Sequence, residues 1–102
     1  MIQVDTLDIL SDLLNKFGFV FLSKPDVLNS IQDTLKKLLN NTRLAIRKRA
    51  NNAIGSLAAV ISNDMFNNMI SFIVNELNKT SDVDYLKSLI SCIGTLWYVD
   101  KL

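Results

Sequence analysis

The chain has 102 residues, 49% of them apolar and 21% charged, with eleven basic residues against ten acidic and a net charge of +1. That length gives one small domain, the apolar fraction a packed core, and the near-neutral balance no field strong enough to attract nucleic acid or an acidic membrane surface. Histidine is absent, which removes the commonest general base and metal ligand, and the single Cys92 can form no internal disulfide, which fits a reducing intracellular compartment.

Val4 to Lys16 is the first helical pattern. Leu7, Leu10, Leu13 and Leu14 share one face with Ile9 beside it, while Asp5, Asp8, Asp12 and Lys16 lie mostly opposite. Gly18 is placed to end this helix through a left-handed cap. Phe17 and Phe19 to Leu22 then read as an apolar connector packed under neighbouring helices. Ser23-Lys24-Pro25-Asp26 starts a second helix, with proline in the first turn and Asp26 at the positive end of the dipole. Its stripe is Val27, Leu28, Ile31, Leu35, Leu38 and Leu39, broken by Asn40-Asn41.

Thr42 can cap a third helix running to about Ile61, on which Ile46, Ala50, Ala53, Ile54, Leu57, Ala58 and Ile61 recur at steps of three and four. Ser62-Asn63-Asp64 is a turn, with Asn63 or Asp64 available as a cap. A fourth helix follows, carrying Met65, Phe66, Met69, Ile70, Phe72, Ile73 and Leu77. Asn78 to Ser81 is a polar turn. Asp82, with Asp84 in the first turn, opens a fifth helix carrying Tyr85, Leu86, Leu89, Ile90, Ile93, Leu96 and Trp97. No apolar run approaches the roughly 20 residues a membrane span needs, and Met1 to Asp5 lacks the features of a signal peptide. With one proline, three glycines and no β-rich runs, the chain is all-α.

The helices repeat. Ala53-Ile54-Gly55-Ser56-Leu57 returns 39 residues later as Cys92-Ile93-Gly94-Thr95-Leu96, and Ile31, Leu35 and Leu39 align with Met69, Ile73 and Leu77 at a spacing of 38. Thr6 to Leu13 lies over Ala50 to Leu57 at a spacing of 44. Such periods belong to HEAT and armadillo solenoids rather than to ankyrin or tetratricopeptide arrays, and with no segment for armadillo's short third helix the HEAT type fits better. Residues 1–102 form a single HEAT-repeat segment of five helices and about two and a half repeats. In it, 4–18 is the second helix of an incomplete repeat, and 23–61 and 63–99 are complete repeats. Neither end shows a polar cap, and Leu96, Trp97, Tyr98, Val99 and Leu102 ask for cover. The chain therefore reads as a piece of a longer solenoid, or as a short protein whose ends a partner covers.

Arg43-Leu44-Ala45-Ile46-Arg47-Lys48-Arg49-Ala50, followed by Ala53-Ile54-Gly55-Ser56-Leu57, resembles the early HEAT repeats of the cullin-associated, neddylation-dissociated proteins. Leu7-Asp8-Ile9-Leu10-Ser11-Asp12-Leu13-Leu14 is similar to the helix preceding that motif, and Glu76-Leu77-Asn78-Lys79 and Cys92-Ile93 also fit. The resemblance covers roughly Val4 to Ile93 and departs at Leu96 to Leu102, where Trp97-Tyr98 replaces an aromatic-poor helix end. It implies a piece of the N-terminal half of a scaffold that wraps an unmodified cullin with its RING subunit. Such a scaffold occludes the neddylation site and allows substrate receptors of the ubiquitin ligase to be exchanged. The alternative is a HEAT or armadillo scaffold of another kind, such as a transport receptor or a phosphatase scaffold. Either is a cytoplasmic or nuclear, non-catalytic protein-binding module with no cofactor, and no nucleic acid, membrane or metal as partner.

The alignment also marks a surface. Lys48, Asn52 and Ser56 recur every four residues on a polar strip, their equivalents are Lys87, Ser91 and Thr95, and Asp8 and Asp12 continue the row on the first helix. Second helices of HEAT pairs generally line the concave side, where solenoids bind partners, so this row is the candidate binding surface; an ordinary solvated face has the same pattern. Arg43, Arg47, Lys48 and Arg49 could form a nucleic-acid or nuclear-import patch, but on one helix they point in different directions. Arg47 flanks the buried face, and Asp84 is its candidate inter-repeat partner. Cys92 takes the buried position of Ala53, and Gly55 and Gly94 sit mid-helix, where close helix approach compensates their cost. Trp97 and Tyr98 are either core or a seam for a further repeat.

Overall fold

The computed structural model describes residues 4–99. Five helices follow one another: α1 (Val4–Phe21), α2 (Pro25–Leu38), α3 (Leu44–Ala58), α4 (Asn63–Lys79) and α5 (Val83–Trp97). Among the described residues there is no strand. The architecture is the all-α, HEAT-like arrangement that the periodicity predicts. The odd-numbered helices form one layer, with α3 packed between α1 and α5, while α2 lies against α3 and α4 against α5.

The central place of α3 explains its composition. With α1, α2 and α5 around it, it buries Ile46, Ala50, Ala53, Ile54, Leu57 and Ala58, so small side chains are needed on several sides at once. Gly55 serves the same end. A Cβ built there would stand 2.7 Å from Thr95 Cγ2, so the glycine lets α5 approach. Gly94, at the same register in α5, meets nothing within 4 Å, and the expectation of a close approach there is overturned. The difference is positional, since α5 has no described neighbour on that side.

Helix ends depart from expectation in several places; α3 stops at Ala58 rather than at about Ile61, and α4 runs through Asn78 and Lys79, where a turn is expected. Gly18 is not a terminator: no glycine has positive φ, α1 continues to Phe21, and a Cβ on the buried Gly18 would lie 2.5 Å from Val60 Cγ2. The irregularity falls instead at Phe17, whose φ of −126° and ψ of 20° kink the helix. The N-cap of α3 is Arg43 rather than Thr42, in a turn held by Asn41 Oδ1 accepting from the Arg43 N–H at 2.9 Å. The N-cap of α4 is Ser62, whose hydroxyl accepts from the Met65 N–H at 3.2 Å, and Asn63 and Asp64 fall inside the helix. The start of α5 is as expected, with Asp82 Oδ1 accepting from the N–H groups of Asp84 and Tyr85.

Phe17, Phe19, Val20 and Leu22 are not packed under neighbours; they are exposed. Ile9, Leu13, Phe17 and Val20 recur at helical spacing as an uncovered apolar stripe along α1. Leu13 and Ile9 align with Leu57 and Ala53, both fully buried in α3, so the stripe is open because, among the described residues, α1 lacks the neighbours that α3 has. At the other end Val83, Ile90 and Trp97 form a second stripe on α5, and Trp97, 71% exposed, stands at the register of the fully buried Ala58. Tyr98 is exposed beside it, and Leu102 lies outside the described residues. Two different apolar faces at opposite ends of a stack make a head-to-tail contact that does not close. The isolated chain is expected to self-associate, with a sedimentation coefficient that rises with concentration; a monomer across the whole range would refute this.

Candidate partner-binding surface

The layer of odd helices brings the candidate row together. Lys48 and Asn52 of α3 face Lys87 and Ser91 of α5 across a groove of about 460 Å³, also lined by Arg47, Arg49, Asn51, Asp84 and Ser88, with Leu44 at its edge. Ser56 and Thr95 follow at the next turn, half-buried where Gly55 narrows the gap. Their hydroxyls donate to the carbonyls of Asn52 at 3.4 Å and Ser91 at 3.1 Å, the usual recourse of a hydroxyl inside a helix. Asp8 and Asp12 are exposed on α1. Asp8 Oδ1 lies 3.2 Å from Arg49 Nε, which ties the α1 part of the row to α3. The contact is a charge contact without good hydrogen-bond alignment between half-exposed groups, so it contributes little to stability.

Arg47 and Asp84 both line the groove, but no ion pair joins them. The guanidinium turns back along its own chain. Nη1 donates to the carbonyls of Asn41 at 2.8 Å and Thr42 at 3.2 Å, so Arg47 closes the α2–α3 turn. Those carbonyls precede the helix and have no partner within it, and a long side chain one turn downstream reaches them without crossing to another repeat. Arg47→Ala should lower the melting temperature by several degrees, since a charged group's bonds are each worth about 1.5–3 kcal/mol; an unchanged melting curve would remove this role.

Asn51, Ser88 and Leu44 also line the groove, outside the row that the sequence pattern marks. The sequence carries a signal for two of them, because Asn51 follows Arg47, and Ser88 follows Asp84, by the same step of four that defines the row. Tyr85 is buried yet donates from its hydroxyl to Glu76 Oε1 at 2.9 Å and so links α5 to α4. Burial, then the hydrogen bond and the charge of Glu76, raise the tyrosine's pKa above its ordinary value. Cys92 is fully buried and its thiol is pushed up to about 12 by desolvation, the state of a structural cysteine rather than a nucleophile. Among the described residues no group of three or more His, Cys, Asp or Glu side chains could hold a metal ion, and no helix is long and apolar enough to cross a membrane.

Neither a family model nor a solved structure matches the chain. Among curated proteins it is 34% identical over 95 residues to cullin-associated NEDD8-dissociated protein 1 of Dictyostelium discoideum, a match covering 93% of this chain and 7% of the relative. It is 33% identical over 98 residues to cullin-associated NEDD8-dissociated protein 2 of Mus musculus and of Rattus norvegicus, again over 93% of this chain and 8% of each relative. The chain thus spans under a tenth of the length of these relatives.

Proposed function

We propose that this chain, a segment of the cullin-associated NEDD8-dissociated type, is a non-catalytic helical-repeat scaffold whose odd-helix layer contributes to cullin binding. The observation that carries the reading is the similarity over 93% of the chain to proteins named for that association. Three features of the molecule support it: a stacked helical architecture, two uncovered end faces, and a groove in which polar side chains of α3 and α5 converge. In this reading α2–α3 and α4–α5 are complete HEAT pairs and α1 is the second helix of a preceding pair. The bound form is an unmodified cullin with its RING subunit, and the scaffold regulates ligase assembly and receptor exchange in the cytoplasm or nucleus.

A chimera tests this. The chain replaces the matching segment of the Dictyostelium relative, and the product is assayed against an unmodified cullin–RING complex and against the neddylated complex. Retention by the unmodified complex and loss with the neddylated one is expected. Equal retention by both, or no retention by a folded chimera, would overturn the reading.

A further inference from the structure

The α3–α5 groove holds an unusual share of the molecule's charge. Arg47, Lys48, Arg49 and Lys87 line it, against the single carboxylate of Asp84, in a chain whose overall charge is only +1. The groove is also polar underneath. Arg47 Nε and Asn51 Oδ1 are buried there without hydrogen-bond partners, and such orphaned groups cost free energy until a polar occupant or a rotation toward one satisfies them. Two of the cations have other work, Arg47 Nη1 at the turn and Arg49 at Asp8. Lys48 and Lys87 have no such tie, and they stand on facing helices with exposed side chains.

We propose that this groove docks an acidic protein segment, with a carboxylate held between Lys48 and Lys87 and an adjacent polar group of the segment meeting Asn52 and Ser91. The proposal gives the chemistry of the partner at the surface described above and rests on the scaffold reading. Protein carboxylates fit better than nucleic acid for two reasons. None of the described aromatic side chains lines the groove to stack a base, and Asp84 within it would repel a continuous run of phosphates while leaving room for one or two carboxylates. Charge complementarity of this kind gives specificity and rate of encounter and weakens as salt rises.

The test is titration of the intact isotope-labelled chain, followed by amide chemical shifts, with a glutamate decapeptide, a lysine decapeptide and oligothymidylate. The glutamate peptide should shift the amides around Lys48, Asn52, Lys87 and Ser91, and its Kd should rise several-fold between ~50 and ~200 mM salt. The lysine peptide should shift none of them. Lys48→Glu with Lys87→Glu should weaken glutamate binding by about tenfold or more, while circular dichroism and melting temperature stay at wild-type values because both side chains are exposed. Shifts mapping elsewhere, no shift, affinity untouched by the double variant, or oligothymidylate bound as tightly in the groove would each overturn the proposal. The chimera keeps the two readings separable. Cullin retention without glutamate binding sinks the groove proposal alone, and glutamate binding without cullin retention sinks the cullin reading alone.

Discussion

Leu57→Ala lowers the unfolding free energy by about 2–5 kcal/mol, more than any surface change in this chain. Leu57 is 0% exposed in the one helix enclosed by three others. Its loss removes the transfer free energy of the deleted carbons and leaves a cavity that α1, α2 and α5 cannot close together, since each is held by its other contacts with α3. A domain of this size has about 5–15 kcal/mol in total, so the change takes a large share of it. At about 4–8 °C per kcal/mol, the melting temperature should fall by about 8 °C or more. Denaturant unfolding should show a lower midpoint at unchanged slope. The control is Ile90→Ala, removing an apolar side chain that is 61% exposed, which should stay within about 0.5 kcal/mol of wild type. Equal effects from the two substitutions would mean that α3 is not the centre of the stack.

Gly18→Ala is the second large effect, and its sign is the informative part. Alanine in place of glycine inside an exposed helix gains up to about 1 kcal/mol. Here the new methyl would sit 2.5 Å from Val60 Cγ2. Val60 is β-branched and stiff about χ1, and its N–H donates to the Leu57 carbonyl at 2.9 Å in the turn after α3, so it cannot move aside freely. The overpacking cost of about 1–3 kcal/mol exceeds the propensity gain, and the net change is destabilising. Val60→Ala combined with Gly18→Ala should recover much of the loss, because the two sites are in contact and their effects do not add. A stabilised Gly18→Ala chain would show that α1 does not lie against the end of α3.

These two sites also show where the sequence was legible. The α3 core was readable because burial on a helix leaves a period: Ile46, Ala50, Ala53, Ile54, Leu57 and Ala58 follow steps of three and four, and all are buried. Gly18 was misread because a glycine at a helix end and a glycine at a helix crossing are the same letter; only the position of Val60, far along the chain, separates them. The caps failed for a related reason. Ser62 and Asn63, or Thr42 and Arg43, differ by one residue's backbone angles, which neighbouring contacts decide. The polar row was readable as a row, since Lys48, Asn52, Lys87 and Ser91 share a period and a register, and the structure places them across one groove. The partner of Arg47 was not, because a long side chain can rotate toward either Asp84 or its own turn. The orphaned Arg47 Nε and Asn51 Oδ1 left no mark in the sequence at all, as their isolation is a matter of three-dimensional geometry.

The contact between Gly55 and Thr95 has a consequence at long range. A Cβ at Gly55 would stand 2.7 Å from Thr95 Cγ2, and moving α5 away to an ordinary 3.4 Å would tilt it against α3 by about 4° across helix axes 8–10 Å apart. Within one pair of helices such a tilt is negligible. In a long array it acts as a lever, and an extra methyl at this joint would swing anything 50 Å away by about 3–4 Å. The absence of a side chain at Gly55 therefore helps set where the distant parts of such an array point.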